Sequence, residues 1–374
     1  MTKKLPSLES ARRIVIKIGS ALVADMARAR AKSEWMTALA TDIAALHAQG
    51  KEVILVSSGS VALGRSLIGL GVEALDLSEK QAAAAAGQPL LMQAWANAFA
   101  PHDIKVAQIL LTIDDSEQRR RYLNARTTIE TLLAHRMVPV INENDTVATA
   151  ELKFGDNDRL AARVAVMISA DVLVLFSDID GLYTADPRKK ADAQFIERVD
   201  TLSVEILAMG GASASEVSNG GMKTKLDAAQ MALAAGCHMV IARGDDQHAL
   251  KKLSQGGKCT WFVASTKPQL ARKHWIATSM HGKGGVVIDE GAERALTQGK
   301  SLLPAGVVKV NGSFERGDTI AVTNLTGTLI ARGISAYTSA EAKQIMGKKT
   351  AAFEGVLGYA GRDTLIHRDD LALV

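Results

Sequence analysis

A lysine inside an apolar run is the first feature of this sequence that calls for an anion. Lys17 sits in Ile14-Val15-Ile16-Lys17-Ile18 and is followed by Gly19-Ser20. Burying an ammonium is costly unless a negative group meets it, and a neighbouring glycine lets backbone N–H groups approach a phosphate. A second lysine, Lys225, falls in the first turn of a helix opened by Gly220-Gly221-Met222-Lys223-Thr224, where the glycines allow the backbone to close on an anion. Between them lie two clusters of amides and carboxylates, Asn142-Glu143-Asn144-Asp145-Thr146 and Gly155-Asp156-Asn157-Asp158. Such groups can hold an ammonium or Mg²⁺ and orient polar ligand atoms. Ser57-Ser58-Gly59-Ser60 opens another helix and favours a carboxylate, while Ser177-Asp178 leads into a segment able to frame a purine. Together these residues compose a phosphoryl-transfer site, in which lysines neutralise the migrating phosphoryl group and Mg²⁺ the nucleotide oxygens. Taken singly, each has a plainer reading: a lysine reaching solvent, N-capping serines, turn residues, or glycines before a surface helix.

Two motif near-misses are set aside. Gly59 followed by Gly64-Arg65-Ser66 has P-loop spacing, but Arg replaces Lys and Val61-Ala62-Leu63 reads as helix interior. Asp156-Asn157-Asp158 resembles the start of a calcium loop, but the downstream Gly and Glu are missing. None of the eight histidines lies in a strand-end cluster, and Cys237 and Cys259 lack zinc-ligand spacing.

Positioning these groups requires a sheet whose strands end together. Apolar runs at 14–18, 53–56, 106–111, 137–141, 172–176 and 239–242 predict strands covered on both faces. Helical periodicity at 34–49, 79–100, 124–135, 157–170 and 223–235 alternates with them. The fold class expected is therefore α/β, a mostly parallel sheet with helices on both faces. Ligands of such sheets bind beyond the carboxyl ends of the strands, where every cluster above falls. Past residue 277 the texture shifts to Gly, Val, Thr and turn signals, which predicts a small, mostly β domain with strands at 286–289, 307–310, 319–323 and 328–332 and a helix at 293–298.

The 374 residues suit two unequal domains, and 47% hydrophobic against 22% charged residues excludes disorder as the main state. A net charge of +4 gives no large footprint for nucleic acid or membrane. Residues 1–13 have no apolar core and two cysteines make no disulfide framework, so a cytoplasmic protein without signal peptide or membrane helix is expected.

The segments named above, with Gly181-Leu182-Tyr183-Thr184-Ala185-Asp186-Pro187, resemble in order the glutamate-phosphorylating branch of the amino acid kinase family. Asp289-Glu290-Gly291-Ala292, Ser301-Leu302-Leu303-Pro304 and His367-Arg368-Asp369-Asp370 resemble its C-terminal PUA domain. The resemblance implies an amino acid kinase domain at 10–268 and a PUA domain at 277–361. It implies ATP-dependent, Mg²⁺-assisted phosphorylation of the γ-carboxylate of L-glutamate to L-glutamyl 5-phosphate, the first step of proline synthesis. It casts Lys17 and Lys225 as transition-state stabilisers organised by Asp158, and Ser58, Asp145 and Asn157 as glutamate-binding residues. The nucleotide positions are Lys17, Ser177, Asp178 and Asn219 through Gly220, Gly221, Met222, Lys223, Thr224 and Lys225. No protein residue is assigned to the metal. Ser177 and Asn219 stand where the family pattern has threonine. Inhibition by proline, a homo-oligomer (dimer or tetramer) and a reductase that takes up the acyl phosphate are further implications. The alternatives are a sister kinase acting on acetylglutamate, aspartate or carbamate, and an RNA-binding protein. Against RNA, residues 277–374 carry 11 basic and 10 acidic residues, without the basic surface that phosphate tracking needs.

Overall fold

Each of the six apolar runs is a strand of one sheet in the computed structural model, which describes residues 5–25, 30–71, 73–148, 157–211, 221–278 and 284–374. They are β1 (Arg13–Ile18), β2 (Glu52–Ser57), β3 (Val106–Leu111), β4 (Val138–Glu143), β5 (Val172–Ser177) and β7 (His238–Arg243). Two short strands were not anticipated, β6 (Arg198–Val199) and β8 (Cys259–Phe262). The order across the sheet is β6-β8-β7-β5-β1-β2-β4-β3. Every neighbouring pair is parallel except β7 with β8. β1 is central, with β2 on one side and β5 on the other, so the chain reverses its direction of travel across the sheet there; open α/β sheets bind ligands at this point.

The helices that matter for the site are α1 (Ser33–Ala48), α2 (Ser60–Gly64), α3 (Leu77–Phe99), α4 (Arg119–Ala134), α5 (Asn157–Met167) and α6 (Met222–Ala234). Strand periodicity sorts the sheet's side chains into two cores. Ile14, Ile16, Ile18, Val53 and Leu55 join one, with α1 and the Trp95 and Phe99 end of α3. Val15, Ile54, Val56 and Leu175 join the other, with α5 and α6. Alternation along β1 puts Lys17 on the second face, with Val15.

That second face is built for close approach. α5 and α6 contribute Ala161, Ala162, Ala165, Ala228, Ala229 and Ala232, all fully buried, so the two helices lie near each other and near β1. On the first face, α2 and α3 meet backbone to backbone. A Cβ on Gly64 would strike the Ala83 carbonyl oxygen, and one on Gly87 the Ser60 carbonyl oxygen. Val61, Ala62 and Leu63 lie within α2 and Gly64 is its last residue, packed on α3, so the segment is no phosphate-binding loop. Asp76 caps α3 by accepting from the Glu79 N–H at 2.8 Å, while Glu79 accepts from the Asp76 N–H at 2.9 Å. Arg120 and Arg121 in the first turn of α4 are exposed, and Arg126 is buried against Glu130 at 2.9 Å.

The chain divides into two compact units, Met1–Pro268 and Gln269–Val374. The second holds a five-stranded sheet of β9 (Gly284–Ile288), β10 (Val307–Gly312), β11 (Thr319–Thr323), β12 (Leu329–Ile334) and β13 (Leu371–Leu373), in the order β10-β9-β11-β12-β13. Its core gathers Val286, Ile288, Phe314, Val322, Tyr337 and Phe353. The expected helix at 293–298 starts earlier, at Glu290, because Asp289 caps it by accepting from the Ala292 N–H at 2.7 Å. Helix Ser339–Ile345 and strand β13 were not anticipated. Among the described residues, no helix is long and apolar enough to cross a membrane.

Candidate active site

Asp158 opens α5 with no exposed surface, and two ammonium groups meet its carboxylate. Lys17 Nζ lies 2.7 Å from Oδ1 and Lys225 Nζ donates to Oδ2 at 3.0 Å. The three come from three elements, β1, α5 and α6, that share one core. Lys17 is 7% and Lys225 8% exposed, so neither is a lysine lying in solvent. Burial alone would push the Asp158 carboxyl up, but the Lys17 and Lys225 ammoniums outweigh it and hold it down at about 2. The position at the start of a helix favours the same ionised form. Thr224 Oγ1 lies 3.3 Å from Oδ2 and 2.9 Å from the Gly221 carbonyl, two acceptors for its single proton, which places the start of α6 against the cluster.

A second, neutral network adjoins it. Asn157 Nδ2 donates to Ser58 Oγ at 2.6 Å and to Asn142 Oδ1 at 3.0 Å. Asn142 Nδ2 in turn donates to Gln88 Oε1 at 3.1 Å and to Ser60 Oγ at 3.3 Å. The ends of β2 and β4, the start of α5 and the middle of α3 are thereby fixed to one another. Gly59 turns the chain from β2 into α2 at φ +125°, a conformation that favours glycine. Ser57 is fixed from the opposite face, where Trp95 Nε1 donates to its Oγ at 3.0 Å.

Both networks border one cleft of about 700 Å³. Its lining includes Lys17, Ser58, Asp145, Asn157, Ser177, Asp178 and Lys225, so seven of the residues singled out from the sequence share one space. Ser177 Oγ donates to Asp178 Oδ1 at 3.0 Å. Beyond β5 a small hairpin pairs Leu182–Tyr183 with Phe195–Ile196, and Tyr183 meets Phe195 edge-on at 5.4 Å. The Met222 side chain packs on the apolar core, which leaves its backbone as the part that can face a nucleotide. Lys223 is exposed. Asn219 and Gly220, and Gly155-Asp156 of the second carboxylate cluster, lie outside the described residues.

Sequence reasoning left Gln88 unassigned, because an Ala-rich helix reads as packing. Its only signal was a buried-face amide on α3 that had to find a partner. Asn142, noted as part of a cluster, turns out to be the hub of the neutral network.

Two ammoniums on one buried carboxylate, beside strand-end amides in an open α/β cleft, define an enzyme that handles a phosphoryl group. The chain belongs to the amino acid kinase family: residues 12–243 match the model of the amino acid kinase family, and residues 284–357 match that of the PUA domain. Glutamate 5-kinase of Paramagnetospirillum magneticum is 57% identical over 98% of this chain and 99% of its own length. Glutamate 5-kinase 1 of Rhizobium meliloti is 55% identical over 100% of this chain and 95% of its own length. Glutamate 5-kinase of Dinoroseobacter shibae is 52% identical over 99% of this chain and 100% of its own length.

Proposed function

We propose that this chain transfers the terminal phosphoryl group of ATP to the γ-carboxylate of L-glutamate, forming L-glutamyl 5-phosphate and ADP in the first step of proline synthesis. The observation that carries this reading is the meeting of Lys17 and Lys225 on Asp158 at the edge of the cleft. A glutamate carboxyl titrates at about 4.3 and is already ionised at neutral pH, so the nucleophile needs no general base. Among the described residues, the cleft lining contains no histidine. One γ-carboxylate oxygen attacks phosphorus, the bond from phosphorus to the oxygen retained by ADP breaks, and no proton moves.

The obstacle is that two anions must approach each other. An ammonium has three donors, so one that meets a carboxylate can also turn toward phosphoryl oxygens. Lys17 and Lys225 supply that charge in a buried setting, where electrostatic stabilisation is strong. Asp158 positions both and stays ionised. Asn157, Ser58 and Asp145 orient the acceptor, and Ser177, Asp178 and the start of α6 border the nucleotide. Mg²⁺ bound with the nucleotide would neutralise charge on its phosphate oxygens.

The test is ADP release with ATP and Mg²⁺ against a panel of glutamate, acetylglutamate, aspartate and carbamate, with hydroxylamine trapping the acyl phosphate as a hydroxamate. Turnover with glutamate is expected; turnover with acetylglutamate but not glutamate overturns the reading. Inhibition by proline at or overlapping the glutamate pocket, a dimer or tetramer, a cytoplasmic setting and a reductase consuming the product belong to the same proposal. Insensitivity to millimolar proline would remove the inhibitory part.

A further inference from the structure

Five cations line the cleft, and three are accounted for. Lys17 and Lys225 are on Asp158, and Lys32 donates to the Ala21 carbonyl at 2.7 Å. The other two are Arg65 and Lys80, which no motif described above includes in the site. Arg65 closes α2. Its Nη2 donates to the Glu73 carbonyl at 2.8 Å, while its Nε is buried and has no hydrogen-bond partner among the described residues. A buried guanidinium N–H is costly to leave unmet, so the site is incomplete without an acceptor. Lys80 occupies the first turn of α3, where the helix dipole disfavours a cation. Its ammonium makes no hydrogen bond or ion pair among the described residues, although it lines the cleft. The seam at Gly64 and Gly87 locks α2 to α3, so both cations belong to one rigid wall, the wall that also sends Gln88 to Asn142.

We propose that Arg65 and Lys80 bind the carboxylate of the acceptor that is not phosphorylated. The inference rests on the acceptor being glutamate. Glutamate brings three charges into the cleft. Its γ-carboxylate is placed by the chemistry at Lys17 and Lys225, and its ammonium is matched by Glu143 and Asp145, which line the same space. The α-carboxylate then requires donors of its own, and a guanidinium offers paired N–H groups in the geometry of a carboxylate. Arg65 and Lys80 are therefore specificity determinants: they recognise the acceptor's far end and take no part in the transfer.

The test compares glutamate with its α-amide, which keeps the γ-carboxylate and the ammonium but replaces the α-carboxylate by an uncharged group. The unaltered chain is expected to favour glutamate by about 100-fold or more in kcat/KM. Arg65→Met and Lys80→Met each lower kcat/KM for glutamate by roughly 10-fold or more, through KM. The preference over the α-amide shrinks by the same factor, and the double variant brings it within a few-fold of unity. The ratio is insensitive to partial loss of folded enzyme, which lowers both rates together. Should the methionine variants not fold, Arg65→Lys and Lys80→Arg shift the ratio by a smaller factor. A ratio unmoved in the variants overturns the proposal and leaves glutamate phosphorylation standing. No turnover of glutamate by the unaltered chain overturns both.

Discussion

The cleft has a charged end and a neutral end, and they are held together differently. At the charged end, Asp158 has no exposed surface of its own and meets Lys17 and Lys225, whose ammoniums hold its carboxylate ionised. At the neutral end, Asn157, Asn142, Ser58, Ser60 and Gln88 exchange hydrogen bonds that require no charge at all. One buried ion cluster holds the lysines at the point of transfer, while amides and hydroxyls register the strand and helix ends beside it. The two ends share α5, since Asn157 and Asp158 are consecutive, so a single helix start registers the acceptor against the lysines.

Breaking the charged end should cost most. Asp158→Asn leaves two buried ammoniums without their anion, and removing one partner of such a cluster costs about 3–5 kcal/mol of stability. Denaturant unfolding checks this, and turnover should fall with it because both lysines lose their anchor. Next is Lys225→Ala, for which turnover is expected to drop about 10²–10³-fold with little change in glutamate KM. An unchanged rate would remove Lys225 from the mechanism. Asn157→Ala attacks the neutral end and strands Ser58 and Asn142, so glutamate KM should rise roughly 10-fold with a smaller effect on turnover. Equal effects of Lys225→Ala and Asn157→Ala on KM would erase the distinction drawn between the ends.

The pH dependence of stability probes the charged end without a substitution. Asp158 titrates at about 2 when folded, below its ordinary 3.8. A depressed carboxyl stabilises the fold above its unfolded value and loses that contribution as pH falls through the folded one. Stability should therefore decline by roughly 2 kcal/mol between about pH 4 and pH 2, and Asp158→Asn should flatten that part of the profile.

Much of this was legible in the residues. Strands buried on both faces appear as near-continuous apolar runs, which is why β1, β2, β4, β5 and β7 could be read directly; β3, at the sheet edge, is partly buried and interrupted by exposed Gln108. β8 could not: it has four residues, one of them Thr260, a buried threonine whose hydroxyl accepts from the Leu182 N–H at 2.7 Å. Its polar side chain breaks the apolar signature while serving the fold. Lys17 announced itself because an ammonium in an apolar run demands an anion. That the anion is Asp158 follows from the alanine-mediated packing of α5 against α6, which motif spacing does not encode. Gln88 stayed hidden because its role depends on which face of α3 meets the end of β4.

The glycine pair that joins α2 to α3 carries a consequence for variation at these sites. Gly64 and Gly87 touch no substrate in the scheme above, yet any side chain at either would push into a neighbouring carbonyl oxygen. Even alanine, the mildest replacement, should prise α2 with Arg65 away from α3 with Lys80. A library scan would accordingly find these two positions as intolerant as the reacting lysines, with the damage appearing as lost discrimination among acceptors before any general collapse of the protein.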